Sequence, residues 1–191
     1  GAGVEGLEIA DQLSGKEITI VDKNDRFMSR HLNTFLSDFL RTVAEKNNIK
    51  CMTSLQIEKI EKSESGSGSV VHLTNNNSFE TDLMIESIGV RPNKKIAADA
   101  GIKTNNGILV DEYLRTSEPD IFAAGDVAEH PGNVITDLYH AAELQGKIAG
   151  KNAMGENLVY EQPAFRLKTE IFGHYFFSMN KPADETNFQG E

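Results

Sequence analysis

The chain has 191 residues, with 19 Lys and Arg against 29 Asp and Glu, a net charge of −10. That balance argues against a nucleic-acid-binding face, which needs clustered positive charge, and the single cysteine, Cys51, excludes an intrachain disulfide, a dithiol redox centre and a Cys-rich metal site. No uninterrupted apolar run approaches the ~20 residues of a membrane span and no signal peptide is visible, so the expectation is a cytoplasmic protein of one large domain or two small ones.

In chain order, Val4, Leu7, Ile9, Ala10 and Leu13 fall at mostly helical spacing, which predicts a helix within 1–15, with Gly15 at its end. Residues 17–21 read as a short β-branched strand. Residues 32–46 give the clearest helix, with Leu32, Phe35, Leu36, Phe39, Leu40, Val43 and Ala44 on one face. After Asn48 the period changes to two. Residues 49–53, 55–60, 70–74 and 79–85 read as short strands, with turns at 63–69 and 75–78. They predict an antiparallel meander inserted into an α/β unit. A break follows at 89–93, then short strands at 108–110 and 121–124, and a helix at 138–152. The tail, 161–191, contains Ile171, Phe172, Tyr175, Phe176 and Phe177 and reads as a strand.

The first six residues, Gly1-Ala2-Gly3-Val4-Glu5-Gly6, fit G-x-G-x-x-G. The first glycine of such a motif allows a tight strand-to-helix turn. The second leaves room where a pyrophosphate meets the backbone, and the third lets the helix approach the sheet. The helix N-terminus then offers free N–H groups to the phosphates. Asp22 follows Gly1 by 21 residues, at the end of the predicted strand. A dinucleotide fold carries an acid about 20 residues on, where it accepts hydrogen bonds from the adenine ribose. A carboxylate there favours NAD over NADP, although Lys23 and Arg26 temper that preference. The plainer reading is a turn begun by Asp22 with Asn24 and Asp25. The fingerprint also calls for a strand before the first glycine. The expectation is therefore a chain that lacks its N-terminal part.

A second signal is Thr116-Ser117-Glu118-Pro119-Asp120-Ile121-Phe122-Ala123-Ala124-Gly125-Asp126. It resembles the second flavin-binding motif of the pyridine nucleotide-disulfide oxidoreductase family. Three further stretches follow that family's order: the helix of Gly1–Ala10 with Glu8, the segment from Asp82 to Asn93, and the helix from His140 to Gly150. Within the family the chain is most similar to NADH:rubredoxin reductases, NADH oxidases and the flavin part of NADH-dependent nitrite reductases.

The resemblance implies an α/β fold: a Rossmann-like NAD(H)-binding domain with a β-meander insertion (1–92), the C-terminal part of an FAD-binding domain (93–160), and the start of a C-terminal domain that is cut short (161–191). It implies NAD(H) contacts from Gly1, Gly3, Val4, Glu5, Gly6 and Asp22, with Glu8 facing the nicotinamide pocket and Gly89 passing close to the nucleotide. It implies FAD contacts from Gly125, Asp126 and the helix start at His140 and Ala141, where a positive dipole end favours negative charge on reduced flavin. A capping Asp126 and a packing helix are the plainer readings of the same residues.

The expected activity is hydride transfer from NADH to FAD and on to an acceptor, with rubredoxin, oxygen, a nitrite-reductase centre or a disulfide as the candidates. Hydride transfer between stacked rings needs no side-chain acid or base, so no catalytic residue is assigned. The alternative from the same fold is an apoptosis-inducing-factor-like flavoprotein that uses NADH to switch partner contacts. A flavin-free NAD dehydrogenase is disfavoured by the Gly125-Asp126 motif. A homodimer is the family's usual assembly. Cys51 reads as a structural thiol, and His31, His72, His130, His140 and His174 show no metal-ligand spacing, although His130 and His140 flank the helix assigned to the flavin. The isolated chain is expected to bind FAD weakly or not at all.

Overall fold

A computed structural model describes residues 1–13, 15–64, 66–164 and 166–180. The chain divides into two compact units: Gly1–Ile88 together with the tail from Ala164, and Gly89–Pro163. The expected C-terminal segment of 161–191 lies beyond the described residues from 181 onward.

The first unit opens with α1 (Val4–Gln12), whose N-cap is Gly3 in an extended conformation, and β1 (Ile18–Val21). The next helix is α2 (Thr34–Lys46). Its N-cap is Asn33, whose side-chain oxygen accepts from the Leu36 N–H at 3.0 Å. Strand β2 (Ile49–Met52) then pairs with β1 in parallel, Ile18 opposite Ile49 and Val21 opposite Met52. This corrects the sequence expectation, which put 49–53 in the meander. Parallel neighbours need a crossover, and α2 supplies it.

The meander itself is β3 (Ile57–Lys62), β4 (Ser69–Leu73) and β5 (Ser78–Thr81), antiparallel in that order. The strand expected over 79–85 stops at Thr81, whose hydroxyl donates to the Leu83 carbonyl at 2.9 Å. Beyond it Leu83, Met84, Ile85 and Ile88 are exposed.

The tail forms a hairpin, where sequence suggested one strand. We number its strands β8 (Arg166–Ile171) and β9 (His174–Met179). They are joined through Phe172 and Gly173 at φ 51° and 73°. Two central residues of positive φ match the twist of a tight hairpin. Ile171 and Phe176 join Leu7 and Ala10 of α1, Ile20 of β1, Leu40 and Ala44 of α2, and Ile49 of β2 in one core. Each of the Leu, Ile and Phe side chains among them contributes about 1.5–3 kcal/mol.

The buried stripe of α2 is also rotated from the expected one. Phe35 is 74% exposed, and Phe39 sits at the rim with its ring edge on His174, 5.1 Å between centroids. Ser37 is buried in their place and donates to the Phe27 carbonyl at 2.7 Å, which satisfies its hydroxyl.

The second unit contains α3 (Lys95–Asp99), β6 (Ile108–Leu109), a 3-10 turn at Gly125–Val127, β7 (Ala128–Glu129) and α4 (Tyr139–Ala153). Strands β6 and β7 pair in parallel. The strand expected at 121–124 is a single antiparallel bridge, Arg115 to Phe122, flanked by the Thr116 N–H donating to the Ile121 carbonyl and the Ala123 N–H donating to the Leu114 carbonyl. Val110, Leu114, Ala123, Ala128, Ala149 and Tyr160 form this unit's core.

Candidate functional site

In the first unit the site is the loop that leads into α1. The three motif glycines have three different surroundings. A Cβ on Gly1 would lie 2.0 Å from the Ser87 carbonyl oxygen, and one on Gly6 would lie 2.0 Å from the Gly1 carbonyl oxygen. Both positions are closed to any side chain. A Cβ on Gly3 would meet nothing within 4 Å. Gly1 and Gly6 therefore let backbone pack on backbone, and Gly3 keeps open space in front of a helix N-terminus that carries no side-chain cap. That combination of free N–H groups, positive dipole end and open approach suits a phosphate.

Asp22 lies beside this loop. Its Oδ2 accepts from the Ala2 N–H at 2.6 Å, and its Oδ1 accepts from the Asn24 N–H at 2.7 Å. The Asp22 N–H donates to the Met52 carbonyl at 2.9 Å, so the carboxylate is anchored at the ends of both parallel strands. The Met28 N–H donates to the Ala2 carbonyl at 2.8 Å, and Phe27 and Met28 are buried beneath the loop. An ionised carboxylate has about four lone-pair sites, so two remain for a ribose diol.

The exposed carboxylate of Glu5, in the first turn of α1, accepts from the Ser87 hydroxyl at 3.4 Å. Val4 is half-buried against the core. Glu8, one helical turn further, accepts a hydrogen bond from the hydroxyl of Thr169 on β8. Sequence reasoning had no signal for that pair, which spans 161 positions.

In the second unit Gly89 stands at its start, exposed, with φ at 95° and nothing within 4 Å of an added Cβ. Gly125 begins the 3-10 turn at φ 79°, a conformation that favours glycine. A Cβ there would lie 3.5 Å from that of Ala142, so the turn packs on the first turns of α4. Asp126 is exposed on this turn, and His140 is exposed on the first turn of α4, edge-on to Tyr139 at 5.6 Å. Ala141, the next residue, is 1% exposed and belongs to the buried stripe of α4. The N-cap of α4, Leu138, makes no side-chain cap.

One residue that sequence reasoning passed over completes this arrangement. The Gln145 Oε1 accepts from the Gly125 N–H at 2.6 Å, and its Nε2 donates to Thr136 Oγ1 at 3.0 Å and to Tyr160 Oη at 3.1 Å. The signal for it was a polar residue on the buried stripe of α4, between Ala141 and Ala149.

Among the described residues no three His, Cys, Asp or Glu side chains group as a metal site, and no helix is long and apolar enough to cross a membrane. Burial pushes the Cys51 thiol up to about 11, with Glu45 adding to the shift and Arg41 opposing it. A raised value keeps the reactive thiolate scarce at neutral pH.

A family model described as "Pyridine nucleotide-disulphide oxidoreductase" matches residues 1–146. A Nitric oxide reductase FlRd-NAD(+) reductase from Salmonella gallinarum is 33% identical over 172 residues, covering 89% of this chain and 45% of that protein. The chain thus spans about half the length of the curated relatives it matches. Among solved structures, the water-forming NADH oxidase from Lactobacillus brevis bound to NADH is similar with a TM-score of 0.87 and 28% identity, over 95% of this chain and 41% of that one. An NAD-dependent persulfide reductase from A. fulgidus gives a TM-score of 0.83 at 27% identity, over 90% and 33%.

Proposed function

This chain belongs to the pyridine nucleotide-disulphide oxidoreductase family, and from that premise we propose that it serves an NADH-dependent flavoprotein reductase. The observation that carries the reading is the pairing of the open Gly3 loop with Asp22. A free helix N-terminus for the pyrophosphate stands next to a carboxylate for the ribose.

In this reading residues 1–92 bind the nicotinamide nucleotide and 93–160 contribute to the FAD site. NADH and FAD supply the hydride donor and acceptor when bound. The N–H groups of Val4, Glu5 and Gly6 hold the NADH pyrophosphate, Asp22 takes the ribose hydroxyls, and Glu8 shapes the nicotinamide pocket. Gly89 leaves room beside the nucleotide. Gly125 and Asp126 take the ribityl and pyrophosphate region of FAD, and the start of α4 at His140 and Ala141 directs its positive end to the flavin ring. The acceptor is a partner redox protein of the kind that the Salmonella relative's name specifies, FlRd. We place the protein in the cytoplasm and expect a homodimer.

The test is anaerobic mixing of the whole flavoprotein with NADH and, separately, with NADPH, following the flavin absorbance. Fast bleaching by NADH and slow bleaching by NADPH support the reading. A protein that holds no flavin, or a flavin that neither nucleotide bleaches, leaves only a nucleotide-binding module.

A further inference from the structure

We infer that Gln145 is a positioning residue for the flavin site, its buried amide fixing the Gly125–Asp126 turn against α4 in the conformation that receives the cofactor. The inference rests on the assignment of that turn to FAD and adds to it a residue that itself touches no cofactor.

Gln145 is 0% exposed. It occupies the buried stripe of α4 with Ala141, Ala149 and Asn152, where a leucine of similar volume would bring no polar group of its own into the interior. Burying an amide there is unfavourable unless its hydrogen bonds are made. Gln145 makes three, to three separate segments. Its oxygen takes the N–H of Gly125 at 2.6 Å. Its nitrogen donates to Thr136 at 3.0 Å, just before the helix, and to Tyr160 at 3.1 Å, beyond its end. The Tyr160 ring lies against that of His130, with centroids 4.9 Å apart and planes tilted by 32°, which braces the phenol. His130 is itself buried, and burial holds it below the ordinary histidine value, so at neutral pH it is an uncharged wall to this cluster.

The orientation explains why the amide is used. Gly125 adopts φ 79°, and its N–H turns inward to α4. The next residue, Asp126, is exposed on the same short turn. Rotation of the Gly125 peptide would re-aim the Asp126 carboxylate. The Gly125 N–H can only donate, so it keeps the amide oxygen turned toward the peptide, and the two hydroxyls, which can accept, hold the amide nitrogen from behind. Leucine at this position would fill the volume and leave the peptide free.

The experiment uses the whole flavoprotein with Gln145→Leu. FAD affinity is titrated after removal of the bound flavin, the visible spectrum of the bound flavin is recorded, and exchange of the Gly125 amide is compared with that of Val110, which is bonded to the Glu129 carbonyl. The expected result is a rise in the FAD dissociation constant on the order of tenfold, for one hydrogen-bonded anchor lost. A shifted flavin band and faster exchange at Gly125, with Val110 unchanged, accompany it. A merely structural role would move the melting temperature and leave the flavin band in place. Unchanged FAD affinity and unchanged Gly125 exchange overturn the positioning role while the FAD assignment stands. A wild-type protein that takes up no FAD at all overturns the assignment and the positioning role with it. Should Gln145→Leu fail to fold, Thr136→Val combined with Tyr160→Phe decides. These changes free the amide but keep Gln145, and a two- to fivefold weaker FAD affinity supports the role, whereas wild-type affinity overturns it.

Discussion

The carboxylate of Asp22 accepts a 2.6 Å hydrogen bond from the backbone N–H of Ala2, so the acid at the end of β1 holds the second residue of the glycine loop in place. One residue thereby carries two duties, loop anchor and proposed ribose acceptor. Asp22→Ala removes both. A hydrogen bond to a charged group contributes about 1.5–3 kcal/mol, so NADH affinity should fall at least tenfold. Asp22→Asn keeps an oxygen for the Ala2 N–H and lacks the charge that repels a 2′-phosphate. It should lose less NADH affinity than the alanine variant and should narrow the NADH-over-NADPH preference. Titration of both nucleotides against the two variants checks this, and an alanine variant with wild-type NADH affinity would remove Asp22 from the site.

The glycines of the loop separate folding from binding. Gly6→Ala forces a Cβ to within 2.0 Å of the Gly1 carbonyl oxygen, a backbone atom that cannot yield without moving the loop. The expected cost is about 1–3 kcal/mol or more, seen as a lower melting temperature. Gly3→Ala meets nothing, and its backbone at φ −78° and ψ −177° accepts any residue. That variant should fold with nearly unchanged stability and bind NADH more weakly, because the methyl enters the space left for the pyrophosphate. Equal melting temperatures for the two variants would contradict the packing argument, and full NADH binding by Gly3→Ala would contradict the site.

Cys51 gives a chemical check on the first unit's packing. Burial raises its thiol to about 11. At pH 8 the thiolate fraction is then on the order of one in a thousand, and the thiolate is the reacting species. Modification by an aromatic disulfide reagent at pH 8 should therefore run orders of magnitude slower in the native protein than after unfolding. A fast native reaction would mean that β2 opens readily at its pairing with β1.

Local patterns carried much of this. The glycine spacing, the α2 and α4 segments and the meander turns were legible because each depends on residues within a few positions of one another, and Asp22 because its distance of 21 residues from Gly1 is a fixed spacing of the dinucleotide fold. The partner of β2 was not, since the alternation of Ile49 to Met52 is the same in a parallel ladder as in a meander, and only the crossover of α2 decides. The exposure of Phe35 was missed because Leu32, Phe35, Leu36 and Phe39 fit a helical face as well as the true stripe, which includes the polar Ser37. The Gln145 cluster escaped because it joins residues 125, 136, 145 and 160, whose polar identities predict surface until the fold buries them. The link from Thr169 to Glu8 depends on the tail folding back onto α1, which periodicity cannot express.

Glu129 supplies the last test, in the second unit. It is 1% exposed, and burial alone would raise its carboxyl. The Gly107 N–H at 2.7 Å, the Asn105 side-chain amide at 2.8 Å, a bond from the Asn106 backbone and the charge of Lys94 outweigh burial and hold it below the ordinary glutamate value. A carboxylate whose value is lower when folded than when unfolded stabilises the native state fully above the unfolded value, near 4.5, and loses that contribution as pH falls from there through the folded value. Glu129→Gln turns one acceptor oxygen into a donor that faces either the Gly107 N–H or the Asn105 amide, and removes the charge from the other bond. It should therefore cost about 1–3 kcal/mol at pH 7. Below pH 4.5 the wild type should lose stability faster than the variant, so that the two unfolding curves converge toward acid. His130, also buried, adds a loss beginning near pH 6.5 in both proteins, because the unfolded chain takes up a proton there that the folded imidazole resists, and it cancels in the difference. Denaturant unfolding from pH 7 to pH 3 reads this directly, and curves that stay parallel down to the lowest pH would show that Glu129 is not the ionised anchor of the 105–107 loop.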